Sequence, residues 1–192
     1  MLGGEPMHYA KFEEMQTQHL TLRKFRDSDV MDFYNRVGGN SNVTKYMLWE
    51  PHQSIEDTRL SIEKVLHRYE VGNAYTWAIA LKEDDSIIGR IDLLRFDEDA
   101  ESCSFAYMIS DTYWGLGFGT EALSAVLRFA FEKIEMQVVI ADHMCENGAS
   151  GVVMRKVGMT YVKTHKAKYE KAGNVFDADE YKITCDEWRN LC

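Results

Sequence analysis

Three glycines, Gly115, Gly117 and Gly119, stand at alternate positions in the segment 113–123, between an alternating apolar run and an amphipathic run. The first run is typical of a β-strand and the second of a helix, so the glycines occupy the turn between them. Glycine reaches positive φ without a steric penalty, and the amides of such a turn and of the first helical turn can face one centre. The segment therefore predicts a strand, loop and helix that bind a phosphate or pyrophosphate.

The periodicity elsewhere predicts a fold in which an antiparallel beginning is followed by one β-α-β unit. A strand at 20–25 precedes a helix that starts at the cap 27–29 and stops at 38–39, a loop over 40–53, and a helix from 54 to about 70. The remaining strands are predicted at 75–81, 87–96, 102–110, 137–142, 159–169 and 175–184, with a short helix over 148–157. We expect an α/β fold with a mixed, largely antiparallel central sheet.

Length and composition indicate one ordinary globular domain. The 192 residues suit an N-terminal extension over 1–18 and a single domain over 19–192. No run approaches the roughly 20 apolar residues of a membrane span, and the N-terminus lacks a signal-peptide pattern, so we expect a cytoplasmic protein without a membrane partner. The net charge of −9 disfavours direct nucleic-acid binding and favours cationic partners such as amines.

The cysteines and histidines predict neither a disulfide scaffold nor a metal site. Cys103, Cys145, Cys185 and Cys192 form no C-x-x-C pair, and no histidine follows them at zinc-finger spacing. The histidines contain no H-E-x-x-H motif. We therefore predict reduced cysteines and no bound metal.

The glycine loop alone leaves several interpretations open. A Walker A loop is excluded because no Gly-Lys-Ser/Thr follows. A dinucleotide-binding loop stays open, since Gly117, Gly119 and Ala122 match G-x-G-x-x-A and Asp142 follows 20 residues after Ala122. Antiparallel hairpins before the motif argue against that interpretation. A turn that only allows close packing of helix and sheet is the third alternative.

Two ordered motifs about 30 residues apart give a more specific indication. The segment 113–122 and the segment 147–159, Asn-Gly-Ala-Ser-Gly-Val-Val-Met-Arg-Lys-Val-Gly-Met, resemble the GCN5-related N-acetyltransferase (GNAT) superfamily. The similarity is strongest to the branch that acetylates the N-termini of ribosomal proteins, and segments 20–29 and 174–181 resemble its opening and closing elements. The resemblance covers most of the chain and implies acetyl-CoA as cosubstrate.

The resemblance also implies which residues hold the cofactor. The amides of 115–120 would hold the pyrophosphate, the strand through Tyr107 would pair with the pantetheine, and Asn147 would hydrogen-bond the pantetheine arm, unless it merely caps a helix. Trp114 replaces the family's Gln or Arg, and we expect a side chain at Gly119 to point into the anion cradle. The full set of cofactor residues is Tyr107, Met108, Ile109, Trp114, Gly115, Leu116, Gly117, Phe118, Gly119, Thr120, Asn147, Ser150 and Met154.

Catalysis by such an enzyme needs an oxyanion donor, a proton for the thiolate and a neutral amine. By resemblance, Ser150 of the N-x-x-S motif protonates the thiolate, and a backbone amide near Met108 or Ile109 meets the oxyanion. The family's glutamate falls on Ser104, which cannot act as a base alone. Glu170 is our first candidate for the base, although a glutamate at this position can also be an ordinary turn residue. The alternative is that the amine loses its proton to water that reaches the site along the small side chains of 102–106.

The acceptor pocket is expected between the first two helices and the last hairpin. Trp49, Glu50 and His52 lie in the loop 40–53, and Tyr169 and Phe176 flank the hairpin tip. A tryptophan beside an acid can bind an ammonium group. Alternatively, Trp49 is the apolar residue that packs this long loop against the core.

The predicted activity is acetyl transfer to a primary amine. We rank a protein N-terminus above a polyamine or an aminoglycoside as the acceptor. Because Ser104 replaces the family's glutamate, a non-catalytic acyl-CoA sensor is the alternative function. We expect the chain to be a monomer or a homodimer.

Overall fold

The computed structural model describes residues 10–72 and 75–191. Its strands are β1 Met15–Gln16, β2 Leu20–Arg23, β3 Tyr75–Leu81, β4 Ile87–Asp97, β5 Ser102–Ile109, β6 Val138–Met144, β7 Thr160–Lys171 and β8 Asn174–Thr184. Its helices are α1 Val30–Phe33, α2 Ser41–Thr44, α3 Ile55–Glu70, α4 Phe118–Glu132, α5 Gly148–Lys156 and α6 Cys185–Arg189. Residues 1–9 of the predicted extension, Asn73 of the turn after α3 and the terminal Cys192 lie outside the described residues.

The strands described form one sheet in the order β1-β2-β3-β4-β5-β6-β8-β7. Every neighbouring pair is antiparallel except β5 and β6, which are parallel and joined through α4. This confirms the mixed, largely antiparallel α/β fold. The dinucleotide-binding alternative is wrong, because it requires a run of parallel strands.

Side chains alternate between the two faces of the sheet and build a core on each. On β3, Trp77 and Ile79 face the core that contains α4 and α5, whereas Ala78 and Ala80 face the core that contains α1 and α3. All four are fully buried. The sheet is therefore covered on both faces, and a passage between the two layers has to cross the sheet itself.

Three helical details differ from the sequence prediction. The helix expected from 27 to 38 is a 3₁₀ turn at Asp27–Asp29, then α1, then a π-helical turn at Tyr34–Gly38. The expected loop over 40–53 contains α2, whose first turn is capped because the Asn40 side chain accepts a bond from the Asn42 amide. The helix α6 had not been predicted. In the residues described, no helix combines the length and apolar content that a membrane crossing requires.

Residues just before β2 also contact the fold. β1 pairs with β2, and the α4 residue Glu121 accepts hydrogen bonds from the Thr17 hydroxyl at 2.5 Å and the His19 amide at 2.7 Å. These bonds hold residues 15–19 against the start of α4. The domain limit at residue 19 stays a prediction.

Candidate active site

The parallel strands β5 and β6 separate partway along their length. Their pairing runs from Ser102 opposite Val138 to Ser104 opposite Ile140 and ends there, although β5 continues for five more residues. A cavity of about 750 Å³ occupies the gap. Its lining includes α3 residues from one face of the sheet and α5 residues from the other, so the cavity passes through the sheet.

The edge of β5 that borders this gap presents backbone amides. The Ser110 amide donates to the Ile88 carbonyl of β4 at 2.8 Å, and amides along a strand point alternately to its two sides. The amides of Tyr107 and Ile109 therefore point away from β4, toward the gap. Between the two oxyanion candidates predicted from the sequence, this alternation favours Ile109 over Met108, whose amide faces β4.

The glycine loop meets the geometric requirement for a phosphate cradle. Gly115 and Gly117 have φ of +80° and +89°, and a Cβ built on either would meet no atom within 4 Å. Gly117 is the N-cap of α4, and no side chain bonds the free amides of the first turn. Trp114 fixes the start of the loop, since its indole nitrogen donates to the Ile109 carbonyl at 2.8 Å. An anionic group fits this helix end.

Gly119 does not play the part that the sequence predicted. It lies inside the first turn of α4 without a positive φ, and its added Cβ would be 3.4 Å from the Tyr107 ring and 3.7 Å from Val153. A side chain there would point at the packing between α4, β5 and α5 and not into the cradle. Gly115 and Gly117 are the glycines of this loop that have the positive φ.

Three of the predicted cofactor and catalytic residues form one hydrogen-bonded cluster. The Ser150 hydroxyl lies 3.3 Å from the Tyr107 phenol oxygen and 3.2 Å from the Asn147 amide nitrogen. Asn147 is the N-cap position of α5, but its side chain makes no capping bond. The interpretation of Asn147 as an ordinary cap is therefore wrong, and its side chain is directed to Ser150.

The acceptor end of the cavity contains most of the predicted substrate residues. Trp49, Glu50, His52 and Tyr169 line it. The Trp49 and His52 rings are 5.0 Å apart, and His52 Nδ1 lies 2.7 Å from the Thr58 hydroxyl. Burial lowers the pKa of His52 below its usual value, against a smaller opposing effect of Asp57. The imidazole is consequently neutral at pH 7.

The loop over 40–53 is held from two sides. Asp111, two residues after the end of β5, accepts bonds from the side-chain amides of Asn40 and Asn42 at 2.9 and 2.8 Å. From the β7–β8 hairpin, the Lys171 ammonium donates to the Thr44 carbonyl at 2.9 Å. The loop 40–53 is thus joined to the turn Asp111–Tyr113, which leads into the glycine loop, and to the last hairpin.

The sequence does not predict as site residues two acids of the cavity, the buried Asp92 and the partly buried Asp142. Asp92 accepts two bonds from Arg90 Nε and one from the Thr76 hydroxyl, at 2.5 to 3.1 Å. Asp142, which the sequence suggested only for a dinucleotide ribose, accepts a bond from the Tyr169 phenol and pairs with Lys168 at 2.8 Å. Both acids already have cationic partners. The signal for the first was the Arg-x-Asp spacing, which puts both side chains on one face of a strand.

Other predicted residues lie outside the cavity lining. The loop residues 114–120, Ile109 and Phe176 are not among the lining residues, and Phe176 is half-buried opposite Tyr169 in the hairpin. Glu170 is exposed, and because Tyr169 faces the cavity, its neighbour Glu170 faces the other side of β7. The structure therefore does not bring Glu170 to the gap. Among the described residues, no three His, Cys, Asp or Glu side chains cluster as metal ligands would.

A mixed sheet that opens between two parallel strands, beside a glycine-capped helix and a serine-bearing helix, defines the class of protein: it is the fold and site of an N-acetyltransferase. Residues 19–160 match the family model described as acetyltransferase (GNAT) domain. The chain belongs to the GNAT family and is an acetyl-CoA-dependent N-acetyltransferase, as the sequence motifs indicated. The enzyme interpretation is confirmed, and the non-catalytic sensor is not retained.

Individual relatives differ in what they acetylate. An uncharacterized N-acetyltransferase of Bacillus licheniformis is 29% identical over 180 residues, which cover 92% of this chain and 98% of the relative. A spermidine N(1)-acetyltransferase of Vibrio cholerae is 22% identical over 128 residues, 67% of this chain and 71% of the relative. A solved ribosomal L7/L12 α-N-protein acetyltransferase in complex with coenzyme A has a TM-score of 0.80, 19% identity and coverage of 91% and 99%.

Proposed function

We propose that this enzyme acetylates the α-amine at the N-terminus of a protein or peptide. The observation that carries the proposal is the pairing of acids in the cavity. Asp92 and Asp142 have cationic partners, and Asp57 accepts the amides of Gln53 and Ser54 as part of a helix cap. Among the described lining residues, Glu50 is the carboxylate for which no partner is found. One free acid suits one ammonium group, whereas a polyamine requires several.

The absence of any carboxylate from β5, the strand of Ser104, points the same way. An α-amine has a pKa of about 7.7 to 8.0, so roughly a tenth of it is neutral at pH 7. A lysine-like primary amine, with a pKa of about 10.4, has less than a thousandth in the neutral form. An enzyme without a carboxylate at the reacting strand is therefore better suited to an acceptor that loses its proton easily.

The surface around the acceptor end suits an extended chain. Leu48 and Leu60 line this end with about half of each side chain exposed, 54% and 48%. The neutral His52 adds no positive charge that would repel an amine. An apolar rim around a single acid can accept the first residues of a peptide while its amine reaches inward.

Each step of the reaction can be given to a part of this chain. Acetyl-CoA supplies the acetyl group as a thioester. The backbone amides on the free edge of β5, at Tyr107 and Ile109, would stabilise the oxyanion. Ser150 would donate the proton to the departing thiolate and regain one from solvent, which balances the proton that the amine releases. The amine proton would leave to water along the small side chains of Ser104 and Ala106, which line the cavity.

An acceptor panel tests the proposal. Acetyl-CoA is supplied with short peptides that begin with Ser or Ala, with the same peptides carrying a blocked α-amine, with spermidine and with kanamycin. Acetylated products are measured by mass spectrometry. We expect acetylation of the free α-amines and loss of the product on blocking. A higher kcat/KM for spermidine or kanamycin than for every peptide would overturn the α-amine assignment.

Removal of the free acid gives a second prediction. Glu50→Gln should raise the KM for the peptide about two- to fivefold with little change in kcat, because a partly solvated ion pair contributes about 0.2 to 1 kcal/mol. Glu63→Gln on the exposed side of α3 is the matched control and should change neither constant. An unchanged KM in Glu50→Gln would mean that Glu50 does not receive the ammonium group.

The position of Glu170 gives a third prediction. Because its side chain lies outside the cavity, Glu170→Gln should keep the dependence of kcat/KM on pH that the unmodified enzyme shows. A steady-state pH series from 6 to 9 measures this. A deficit that grows toward low pH, where fewer amines are neutral, would instead identify Glu170 as the base.

The proposal also places the enzyme in the cytoplasm. The described cysteines Cys103, Cys145 and Cys185 are free thiols, the state that a reducing compartment maintains. Whether the enzyme is a monomer or a homodimer stays a prediction open to sedimentation analysis.

A further inference from the structure

The Ser150 hydroxyl has two neighbours that come from different elements. Asn147 precedes Ser150 by one helical turn on α5, and Tyr107 reaches it across the gap from β5. The Tyr107 ring lies beside the first turn of α4, where a Cβ added at Gly119 would be 3.4 Å from it. A tyrosine on the reacting strand therefore contacts the proposed proton donor directly.

The hydrogen-bonding capacity of these groups decides which way the protons point. A serine hydroxyl has one donor and two acceptor sites, whereas the nitrogen of an Asn amide can only donate. The contact with Asn147 consequently occupies one acceptor site of Ser150. The phenol of Tyr107 stays protonated and can donate a hydrogen bond, because burial raises the pKa of Tyr107 above its usual value. In the described chain, the Ser150 oxygen is the acceptor within hydrogen-bond distance of that phenol.

We propose that Tyr107 is a positioning residue: its phenol and the Asn147 amide together fill both acceptor sites of Ser150 and turn the serine hydrogen into the cavity. The hydroxyl then has its single donor free. That donor faces the gap in which a thiolate would form. The two donated bonds also make the serine oxygen more positive, so that it gives its proton more readily.

The inference rests on the proposed role of Ser150 and predicts a specific pattern of coupling. Tyr107→Phe keeps the ring and removes the hydroxyl, and it should lower kcat about three- to tenfold while the affinity for acetyl-CoA changes less than twofold. In a Ser150→Ala background the same Tyr107→Phe change should have no further effect on kcat. A ring that only supports the fold would lower kcat equally in both backgrounds.

Two further variants complete the experiment. Asn147→Asp replaces a donor by an acceptor of the same size, so the serine hydrogen should turn toward the carboxylate and kcat should fall more than in Tyr107→Phe. Tyr161→Phe removes another tyrosine contact to a hydroxyl, that of Thr164 at 2.8 Å on the exposed strand β7, and should leave kcat unchanged. Melting temperatures identify any variant that is poorly folded.

The outcomes separate the two hypotheses. If Ser150→Ala lowers kcat but Tyr107→Phe and Asn147→Asp do not, the positioning role is wrong and the role of Ser150 stands. If Tyr107→Phe lowers kcat by the same factor with and without Ser150, Tyr107 acts independently of the serine and the inference is also wrong. If Ser150→Ala leaves kcat unchanged, the proposed proton donor itself is wrong.

Discussion

Ser150→Ala is expected to lower kcat about 100-fold and to leave the affinity for acetyl-CoA within a factor of two. A positioned general acid contributes typically 10²- to 10⁴-fold, and this hydroxyl matters mainly when negative charge has grown on sulfur. Stopped-flow or steady-state release of coenzyme A gives kcat, and calorimetry with acetyl-CoA gives the affinity. The loss should appear in kcat and in kcat/KM equally, as it does for an interaction made only in the transition state.

A serine elsewhere in the same structure provides the control. Ser124 lies in α4, is exposed, and donates to the Thr120 carbonyl at 2.8 Å within its own helix. Ser124→Ala should have the kcat of the unmodified enzyme. A Ser150→Ala enzyme that weakened acetyl-CoA binding tenfold at constant kcat would show that the hydroxyl binds the cofactor and does not deliver a proton.

Gly117→Ala is expected to weaken acetyl-CoA binding at least tenfold, or about 1.4 kcal/mol. The residue has φ of +89° and is the N-cap of α4, and an added Cβ would meet no atom within 4 Å, so the substitution acts through the backbone conformation and not through a clash. An L-residue there also resists the left-handed conformation, at roughly 1 to 2 kcal/mol. Relaxation of the loop toward negative φ would turn the cradle amides away from a common centre. Calorimetric titration with acetyl-CoA measures the loss.

Gly72→Ala separates the effect on binding from the effect on stability. Gly72 follows α3 with φ of +70°, and an added Cβ there also meets no atom within 4 Å. Both variants should lose a similar free energy of unfolding, but only Gly117→Ala should lose affinity. Equal affinity in the two folded variants would mean that the glycine loop does not hold the pyrophosphate.

The sequence predicted the strands, the glycine loop and the serine helix because each of these depends on local periodicity. The run from Tyr75 to Leu81 alternates by itself, and the loop's glycines mark a turn wherever the rest of the chain lies. Ser150, Asn147 and Tyr107 were named on a different ground, the resemblance of their segments to the GNAT motifs. Their mutual contact could not be predicted, because it requires knowing how far β5 and α5 stand apart.

Which side chains of the β7–β8 hairpin face the cavity could not be predicted from the alternation of polar and apolar residues. The register between β7 and β8 shifts between Tyr161 and Lys163 and again between His165 and Tyr169. Each irregularity can exchange the two faces of a strand. Glu170 therefore lies outside the cavity although its place along the chain suggested a base. The Arg90-x-Asp92 spacing is a local signal, but the burial of Asp92 beside Thr76, 16 positions away on the neighbouring strand, depends on how the sheet pairs.

The passage through the sheet has a consequence for the order of events. The glycine loop lies against the core on the side of α4 and α5, and the loop 40–53 lies against the core on the side of α1 and α3. If these loops bind acetyl-CoA and the amine, as proposed, we expect the two substrates to enter from opposite faces of the sheet and not to compete for space. Both can be bound at the same time, and the acetyl group can move directly from one to the other without first being attached to the protein. Initial-rate plots for the two substrates should therefore intersect and not run parallel, and each product can leave by the side on which its precursor arrived.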